Sequence, residues 1–381
     1  MKSIYIRAAM LTGLSVLLSG PVMAGITVFK DGESYVKVGG RIQIQYHRQD
    51  PDTGSAGDKV TDEVFFRRFR PYIEGSKHKD WKGKLQWDMG KSKLAVKDAY
   101  IQYTGLPGHV LTIGNAGFPF SREYMTSSKK SQLVERSFVG DHNYGTPNKN
   151  LGVQIKGRVL GKRLFYAAGL ASASIDPDQS KLDFDTPVNK KSDFNEGWMV
   201  GGHVEFHPMG TVKFQQGDFS HAPRFMVGVG VYSWSNDDDN NTQTDAITGL
   251  DKGNNKPDVD LAIGTELSAG FRGWGASADV QYNRFTAELV DGAYTGGMYE
   301  NGEARFSNLA VEGGYMIMPR VLEIVAGVQA QDADAYNEVW TRNSLGMNYF
   351  FYKHDIKIQS AYRKGRNLDG VKNKNKDELF V

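Results

Sequence analysis

The sequence predicts an all-β protein, a transmembrane antiparallel β-barrel of about sixteen strands. Three observations lead to this prediction. Apolar and polar residues alternate with a period of two over segments of about ten residues. The first 24 residues have the features of an export signal. No later segment is apolar for long enough to form a membrane-spanning helix, which needs about 20 residues.

The composition excludes several classes of protein. The chain has 381 residues and no Cys, which excludes disulfide scaffolds, Cys-ligated zinc, iron–sulfur clusters and thiol catalysis. Its 46 Lys and Arg are balanced by 44 Asp and Glu, which argues against a protein that wraps nucleic acid. The 44 Gly suit an all-β architecture with many turns.

The N-terminus predicts export. Two basic residues precede an apolar stretch from Ala8 to Leu18, and small residues after this stretch allow cleavage before Gly25. A buried N-terminal helix is the alternative. We expect residues 1–24 to be a signal peptide and residues 25–381 to be one barrel domain. Export of a chain without Cys points to the periplasm or outer membrane of a Gram-negative cell more than to a eukaryotic exterior.

The alternation is clearest from Val36 to Tyr46, where apolar side chains alternate with Lys, Arg and Gln. Strands of about ten residues with one apolar and one charged face match strands tilted across a bilayer. A secreted sandwich or adhesin, with strands nearer five or six residues, is the alternative. The predicted strands start near Val36, Val64, Trp81, Leu94, His109, Asn150, Lys162, Gly197, Pro223, Asp258, Trp274, Arg305, Arg320, Val339, His354 and Lys376.

Short turns alternate with long polar loops, as expected for the two rims of such a barrel. The predicted long loops are Asp50–Thr61, Gly117–Lys149, Ala173–Asn195, Ser235–Pro257 and Glu288–Gly302. A barrel of about sixteen strands has a lumen wide enough for water.

The loop Gly117–Lys149, which is the third connection on its rim when the short connection before Leu94 is counted, combines cations with apolar side chains. It carries Arg122, Lys129, Lys130 and Arg136 among Phe, Leu and Tyr residues. Apolar residues in a loop need something to pack on, so we expect the loop to fold back into the barrel lumen. A surface loop that covers the rim is the alternative.

Several segments resemble the phosphate-selective porin O/P family of Gram-negative outer membranes, and the most specific of them lie in the first 140 or so residues. The segments that carry the resemblance are Val28–Gly32 with Val38–Gln43, Phe66–Arg70 with Glu74–Gly75, Asp98–Tyr103 with Ile113–Asn115 and Pro119–Phe120, and Thr126–Ser128 with Glu135–Ser137.

The resemblance implies a homotrimer of sixteen-stranded barrels, each with its third loop turned inward, that conducts anions passively. It implies uptake of phosphate or polyphosphate, contact with outer-membrane lipid and lipopolysaccharide, no cofactor and no enzymatic activity. Cations that strand parity or the third loop places at the lumen are the candidate anion-binding residues, namely Arg41, Arg68, Arg70, Lys82, Lys84, Arg122, Lys129, Lys130 and Arg136.

Two features leave the selectivity open. Arg67 falls on the apolar face of its strand, so it either reaches the membrane interface or follows a β-bulge. The inward positions of the second half are mostly acidic, including Glu266, Asp279, Glu312 and Glu323. Opposed charged walls are typical of a general diffusion porin with weak ion selectivity, which is the main alternative function.

Other motifs have simpler interpretations. His203, Glu205 and His207 share a strand face, but the two His residues stand about 13 Å apart, too far to bind one metal ion. The run Asp237–Asn241 lacks the pattern of a calcium loop and is interpreted as an external loop. No hydrolase or nucleotide-binding motif occurs, which leaves a barrel-embedded hydrolase as a remote alternative. The chain ends at Val381, a few residues into its last predicted strand, so this strand is short or the sequence stops early.

Overall fold

The computed structural model describes residues 25–55, 57–90, 94–178, 180–185, 197–236, 259–289 and 295–381. The predicted signal peptide, residues 1–24, lies outside the described residues, as does the acidic run Asp237–Asn241. The helices in the described part of the chain are all too short and too polar to cross a membrane.

Strands make up most of the described chain. They are β1 (Ile26–Asp31), β2 (Ser34–Asp52), β3 (Thr61–Lys77), β4 (Trp81–Asp88), β5 (Ala95–Tyr103), β6 (His109–Gly117), β7 (Lys149–Val159), β8 (Leu164–Ser172), β9 (Ser174–Asp178), β10 (Lys181–Asp185), β11 (Trp198–Phe206), β12 (Arg224–Ser235), β13 (Val259–Gly273), β14 (Ala276–Leu289), β15 (Glu303–Met318), β16 (Leu322–Ala333), β17 (Trp340–Tyr352), β18 (Ile356–Arg366) and β19 (Asn375–Phe380). Between β6 and β7 lie the short helix α1 (Arg122–Met125) and a 3₁₀ turn (Ser128–Lys130), and a second 3₁₀ turn (Leu368–Gly370) follows β18.

Sixteen of these strands form a closed antiparallel ring. Consecutive strands pair from β2 to β8 and from β11 to β19, while β8 pairs with β11 and β19 pairs with β2. The strand β1 adds to the other end of β2, where Ile26 lies opposite Val38. Closure satisfies the backbone groups that lipid cannot hydrogen-bond, so the predicted barrel is confirmed.

The predicted strand starts agree with the ring strands to within about three residues. Strands β1, β9 and β10 were not predicted. The hairpin of β9 and β10 lies inside the expected loop Ala173–Asn195, and its Leu182 and Phe184 are fully buried. A loop that was expected to be polar and external therefore contributes to an internal apolar core.

The ring strands have an apolar outer face and a polar inner face. Outward side chains such as Ile42, Leu267 and Leu345 are about 60% exposed, while their sequence neighbours face inward. This pattern suits hydrocarbon outside and water inside.

An aromatic core fills one side of the interior, within β8 and β11–β17. Phe118, Phe120 and Phe138 of the segment between β6 and β7 are fully buried there. Phe120 packs edge-on against Tyr232 of β12, with ring centroids 4.9 Å apart. The open part of the lumen is therefore displaced towards β2–β7.

The outer face yields a stability prediction. Leu267 lies in the middle of β13 and is 59% exposed. We expect Leu267→Arg to lower the free energy of unfolding by about 2–4 kcal/mol, because hydrocarbon cannot solvate the guanidinium. Unfolding titrations with guanidinium chloride in phospholipid vesicles measure this loss of stability, with Leu267→Ala as the control for lost apolar area. Equal stability of the two variants would mean that this face does not contact hydrocarbon.

Candidate functional site

The segment 118–148, called the third loop below, contacts inward-facing side chains on opposite sides of the ring. On one side, Arg41 of β2 donates to the Ser128 hydroxyl at 3.1 Å. On the other side, Tyr232 of β12 donates to the Gly145 carbonyl oxygen at 2.8 Å. These contacts lay the third loop across the inside of the barrel.

The helix α1 is anchored to one wall by Arg122. Its guanidinium forms an ion pair with Glu205 of β11, and its carbon lies 4.9 Å from the centre of the Phe214 ring. Its backbone N–H donates to Glu266 Oε1 of β13 at 2.8 Å. Arg122 is only 2% exposed, so this predicted anion-binding residue is a structural anchor.

The histidines near Glu205 take part in the same anchor. His203 lies with Nδ1 2.7 Å from the carbonyl oxygen of Phe120 in the third loop, and His207 Nε2 lies 3.1 Å from Glu205 Oε2. They face inward as expected, but the loop buries them. In the described residues no group of three or more His, Cys, Asp or Glu side chains could hold a metal ion.

The third loop covers a set of inward carboxylates. We call these residues, none more than 4% exposed, the acidic wall: Glu205, Glu266, Asp279, Glu312 and Glu323. Gln132 of the loop donates to Glu323 Oε1 at 2.7 Å, and Arg272 binds Asp279 at 2.7 Å. The acidic wall is thus bonded to protein groups and shielded from the open lumen.

Cations line the opposite side of the lumen, and we call these residues the basic face: Arg41, Arg67, Arg68, Arg70, Lys84 and Lys149. The side chains of Arg67, Arg70, Lys84 and Lys149 keep between 19% and 24% of their surface exposed. The two walls therefore differ in exposure to the lumen as well as in charge.

A β-bulge explains the double arginine of β3. Gln43 of β2 lies opposite Arg68 and Ile44 lies opposite Phe66, so Arg67 is the extra residue. The bulge lets Arg67 turn inward beside Arg68, where it forms a bidentate ion pair with Glu135 of the third loop at 2.7 and 2.8 Å. Of the two alternatives for Arg67, the bulge is correct.

Three carboxylates offset part of the positive charge. Asp88 binds Arg70 at 2.7 Å, and Asp98 binds both Lys84 and Lys149. Burial raises the pKa of the third carboxyl, Glu135, but the bonds and charge of Arg67 outweigh burial and lower the pKa to about 2.

Two arginines of the basic face bond to neutral partners. Arg68 donates to Gln43 Oε1 at 2.7 Å, and Arg41 bonds to the Ser128 hydroxyl. The Nε group of Arg41 is buried and has no hydrogen-bond partner among the described residues. Neither guanidinium is paired with a carboxylate among the described residues, although Arg68 itself is only 6% exposed.

The remaining predicted site residues divide into two groups. Lys82 is exposed on the inward side of β4, and Lys129 forms an exposed ion pair with Asp355 at 3.1 Å. Lys130 is half-buried, and Arg136 donates to the carbonyl oxygens of Tyr124 and Thr126, which ties together the third loop itself.

The connection 207–223, called the inner segment below, was missed by the sequence reasoning. It joins β11 to β12 at the rim where β13 and β14 are joined by two residues, and its Val212, Gln216 and Asp218 are buried. The sequence did contain a signal for this segment. Two successive strands are predicted to start at Gly197 and Pro223, and the interval between them is far longer than one strand and a short turn require.

The fold and the site define the class of the protein. A closed β-barrel with an apolar outer face and a charged lumen narrowed by an inward loop is an outer-membrane porin barrel. Residues 36–187 match the family model described as phosphate-selective porin O and P, so the resemblance predicted from the sequence is confirmed.

Known proteins extend this comparison. Porin O of Pseudomonas aeruginosa is 27% identical over 158 residues, which cover 38% of this chain and 34% of Porin O, so this chain aligns with about a third of that relative. An anion-selective porin from Comamonas acidovorans has a TM-score of 0.60 and 11% identity, covering 91% of this chain and 98% of that chain. OmpT of Vibrio cholerae in its trimer form has a TM-score of 0.55 and 13% identity, covering 91% and 98%. At these identities the structural likeness concerns the fold, and the matching family and curated relative are porins rather than enzymes.

The ion pair between Arg122 and Glu205 predicts that two substitutions in the third loop lower the stability of the barrel by unequal amounts. Arg122→Ala leaves Glu205 without its cation, and we expect the free energy of unfolding to fall by about 3–5 kcal/mol. Lys129→Ala removes an exposed ion pair and should cost about 1 kcal/mol or less. Guanidinium titrations of both variants in vesicles measure the difference. Similar losses for the two would contradict the role of Arg122 as an anchor.

Proposed function

We propose that this protein is a passive, anion-selective channel of the outer membrane that takes up phosphate or related oxyanions. The observation that carries the proposal is the unequal exposure of the two charged walls. The acidic wall is at most 4% exposed, whereas the paired cations of the basic face keep about a fifth of their surface open to the lumen.

The exposure of a charged side chain to the lumen decides how strongly it acts on a permeating ion. Protein groups that bind and cover a charged side chain screen its charge from the ion. A carboxylate behind the third loop is paired with protein donors and acts on the lumen from a distance. A guanidinium at the lumen lowers the electrostatic barrier for an anion at contact range. The formal charges of the whole chain nearly cancel, but the exposed charges at the constriction are mainly positive.

Arg41, Arg68 and Ser128 make an oxyanion a suitable solute. Guanidinium groups bind phosphate through paired N–H donors, and neither arginine has a carboxylate partner in the part of the chain that the structure describes. The unpaired Nε group of Arg41 would gain an acceptor when an anion binds. The description of the matching family as phosphate-selective supports phosphate as the solute class.

The assembly is proposed to be a homotrimer in contact with outer-membrane lipid and lipopolysaccharide. The porin barrel fold and the trimer form of OmpT of Vibrio cholerae support a trimer. The apolar outer face supports contact with lipid and with neighbouring barrels.

The basic face predicts the ion preference. We expect the wild-type reversal potential in a planar bilayer under a KCl gradient to report anion preference, and millimolar phosphate to reduce the chloride current. Arg68→Ala combined with Arg70→Ala should shift the reversal potential towards cations and raise the phosphate concentration for half-block about tenfold or more, because two lumen cations are lost.

Arg284→Ala is the matched control for these recordings. Arg284 lies on the outward face of β14, two residues after Tyr282, so its removal should change neither measurement. A wild-type channel that prefers potassium, or that shows no block by phosphate, would favour a general diffusion porin instead.

The trimer is tested separately from selectivity. Native mass spectrometry of the detergent-solubilised protein should give three times the mass of one chain. Glutaraldehyde cross-linking in isolated membranes should give a ladder that ends at the same size. A monomer in both experiments would contradict the proposed assembly and leave the pore proposal to be decided by the bilayer recordings.

A further inference from the structure

The inner segment contacts the third loop from the opposite rim of the barrel. Its Lys213 carbonyl oxygen accepts from Arg122 at 3.0 Å, and its Phe214 ring lies beside the same guanidinium. The anchor of α1 is therefore shared between β11, β13 and the inner segment.

The inner segment is itself fixed to the barrel. The Asp218 carboxylate accepts from the backbone N–H groups of Ser220, His221 and Gly275 at 3.0, 3.1 and 3.0 Å. Phe219 packs against Phe350, with ring centroids 5.0 Å apart. These bonds tie the segment to the β13–β14 turn and to β17, which makes it a rigid support.

Gln216 is the point at which this support meets the third loop. Its backbone N–H donates to the Lys130 carbonyl oxygen at 3.0 Å, and its side-chain oxygen accepts from the Gln132 N–H at 2.6 Å. Its side-chain amide donates to Glu312 Oε2 at 2.9 Å, and its own carbonyl oxygen accepts from His354 at 2.9 Å. Every polar group of Gln216 is used, and the residue is 4% exposed.

The two loop atoms that Gln216 holds, the Lys130 carbonyl oxygen and the Gln132 N–H, lie at the end of the turn that borders the pore and just after it. Lys130 ends the 3₁₀ turn whose Ser128 accepts from Arg41, and Lys129 of the same turn reaches Asp355. Movement of this turn would change the gap to the basic face. It would also open a path to Glu312 and Glu323, which lie behind it.

We infer that Gln216 is a positioning residue for the pore: the inner segment clamps the third loop through Gln216 and thereby sets both the pore width and its anion preference. This inference rests on the proposed function for its ion selectivity, while its effect on pore width is independent of that function.

The chemistry of the clamp calls for a neutral amide. Position 216 must accept a hydrogen bond from Gln132 and donate one to Glu312, and an amide does both. A leucine does neither and leaves two buried groups unpaired. A carboxylate accepts but cannot donate, and it would repel Glu312.

The direct test compares Gln216→Leu with Gln215→Leu. Gln215 is the matched control, because in the described part of the chain its side chain forms no hydrogen bond. For Gln216→Leu we expect a larger single-channel conductance, a reversal potential shifted towards cations and an at least tenfold weaker phosphate block. For Gln215→Leu these quantities should stay within twofold of the wild type.

Gln216→Glu gives a readout that a merely structural role would not move. The introduced carboxyl resembles the amide when protonated, since it can then donate to Glu312, and it loses this ability above its pKa. Burial and the neighbouring Glu312 raise this pKa above the free carboxyl value of about 4 to 5. In a pH series from about 4 to about 9 we expect wild-type conductance and selectivity at the acidic end and the properties of Gln216→Leu at the alkaline end. Glu312, His354, Lys357 and Arg272 surround this position, so wild-type recordings at each pH remove their own titration.

The outcomes separate this inference from the proposed function. If both leucine variants match the wild type in conductance and selectivity, the clamp is wrong, even when the wild type prefers anions. If the wild type prefers cations, the proposed function is wrong, while a conductance change specific to Gln216→Leu still supports the clamp. If Gln216→Leu does not fold, the pH response of Gln216→Glu decides, and a response equal to that of the wild type overturns the inference.

Discussion

The ion pair between Arg122 and Glu205 constrains the rest of the pore. A charge removed from water needs a partner of opposite sign, and inside this barrel each of these two residues supplies it for the other. Once Arg122 is held, the backbone of α1 lies against Glu266, and the third loop must run across the wall that carries the other carboxylates. The route of the loop then displaces the open lumen towards β2–β7, where the cations of the basic face lie.

In this arrangement, an inward-facing charged residue does not necessarily influence permeation. Glu323 and Arg70 both point inward, and strand parity alone treats them alike. Glu323 accepts from Gln132 and Asn348 and has no exposed surface, whereas Arg70 keeps part of its surface in the lumen beside Asp88. The second half of the barrel is acidic in sequence, yet the third loop and the inner segment separate most of that acidity from the solute path.

The fold was predictable because each strand can be recognised from its own local sequence pattern. A period of two follows from one lipid face and one water face, and it located all sixteen ring strands. Arg67 could not be assigned in this way, because a bulge shifts parity without a sequence signature of its own. The burial of Arg122 and the clamp at Gln216 were also beyond the sequence, since their partners lie about 80 or more residues away along the chain.

Neutral groups have a particular role in a pore of this kind. A cluster of cations repels itself, and carboxylate partners would relieve the repulsion while removing the attraction for anions. Here Gln43 and Ser128 orient Arg68 and Arg41, and Gln216 fixes the loop, all through uncharged groups. Within the basic face, carboxylates bind Arg67, Arg70, Lys84 and Lys149, where they anchor the loop and the wall. Within the basic face, Arg41 and Arg68 are thus left without a carboxylate partner among the described residues, their positions are set by a hydroxyl and an amide, and an anion is a partner that would compensate their charge.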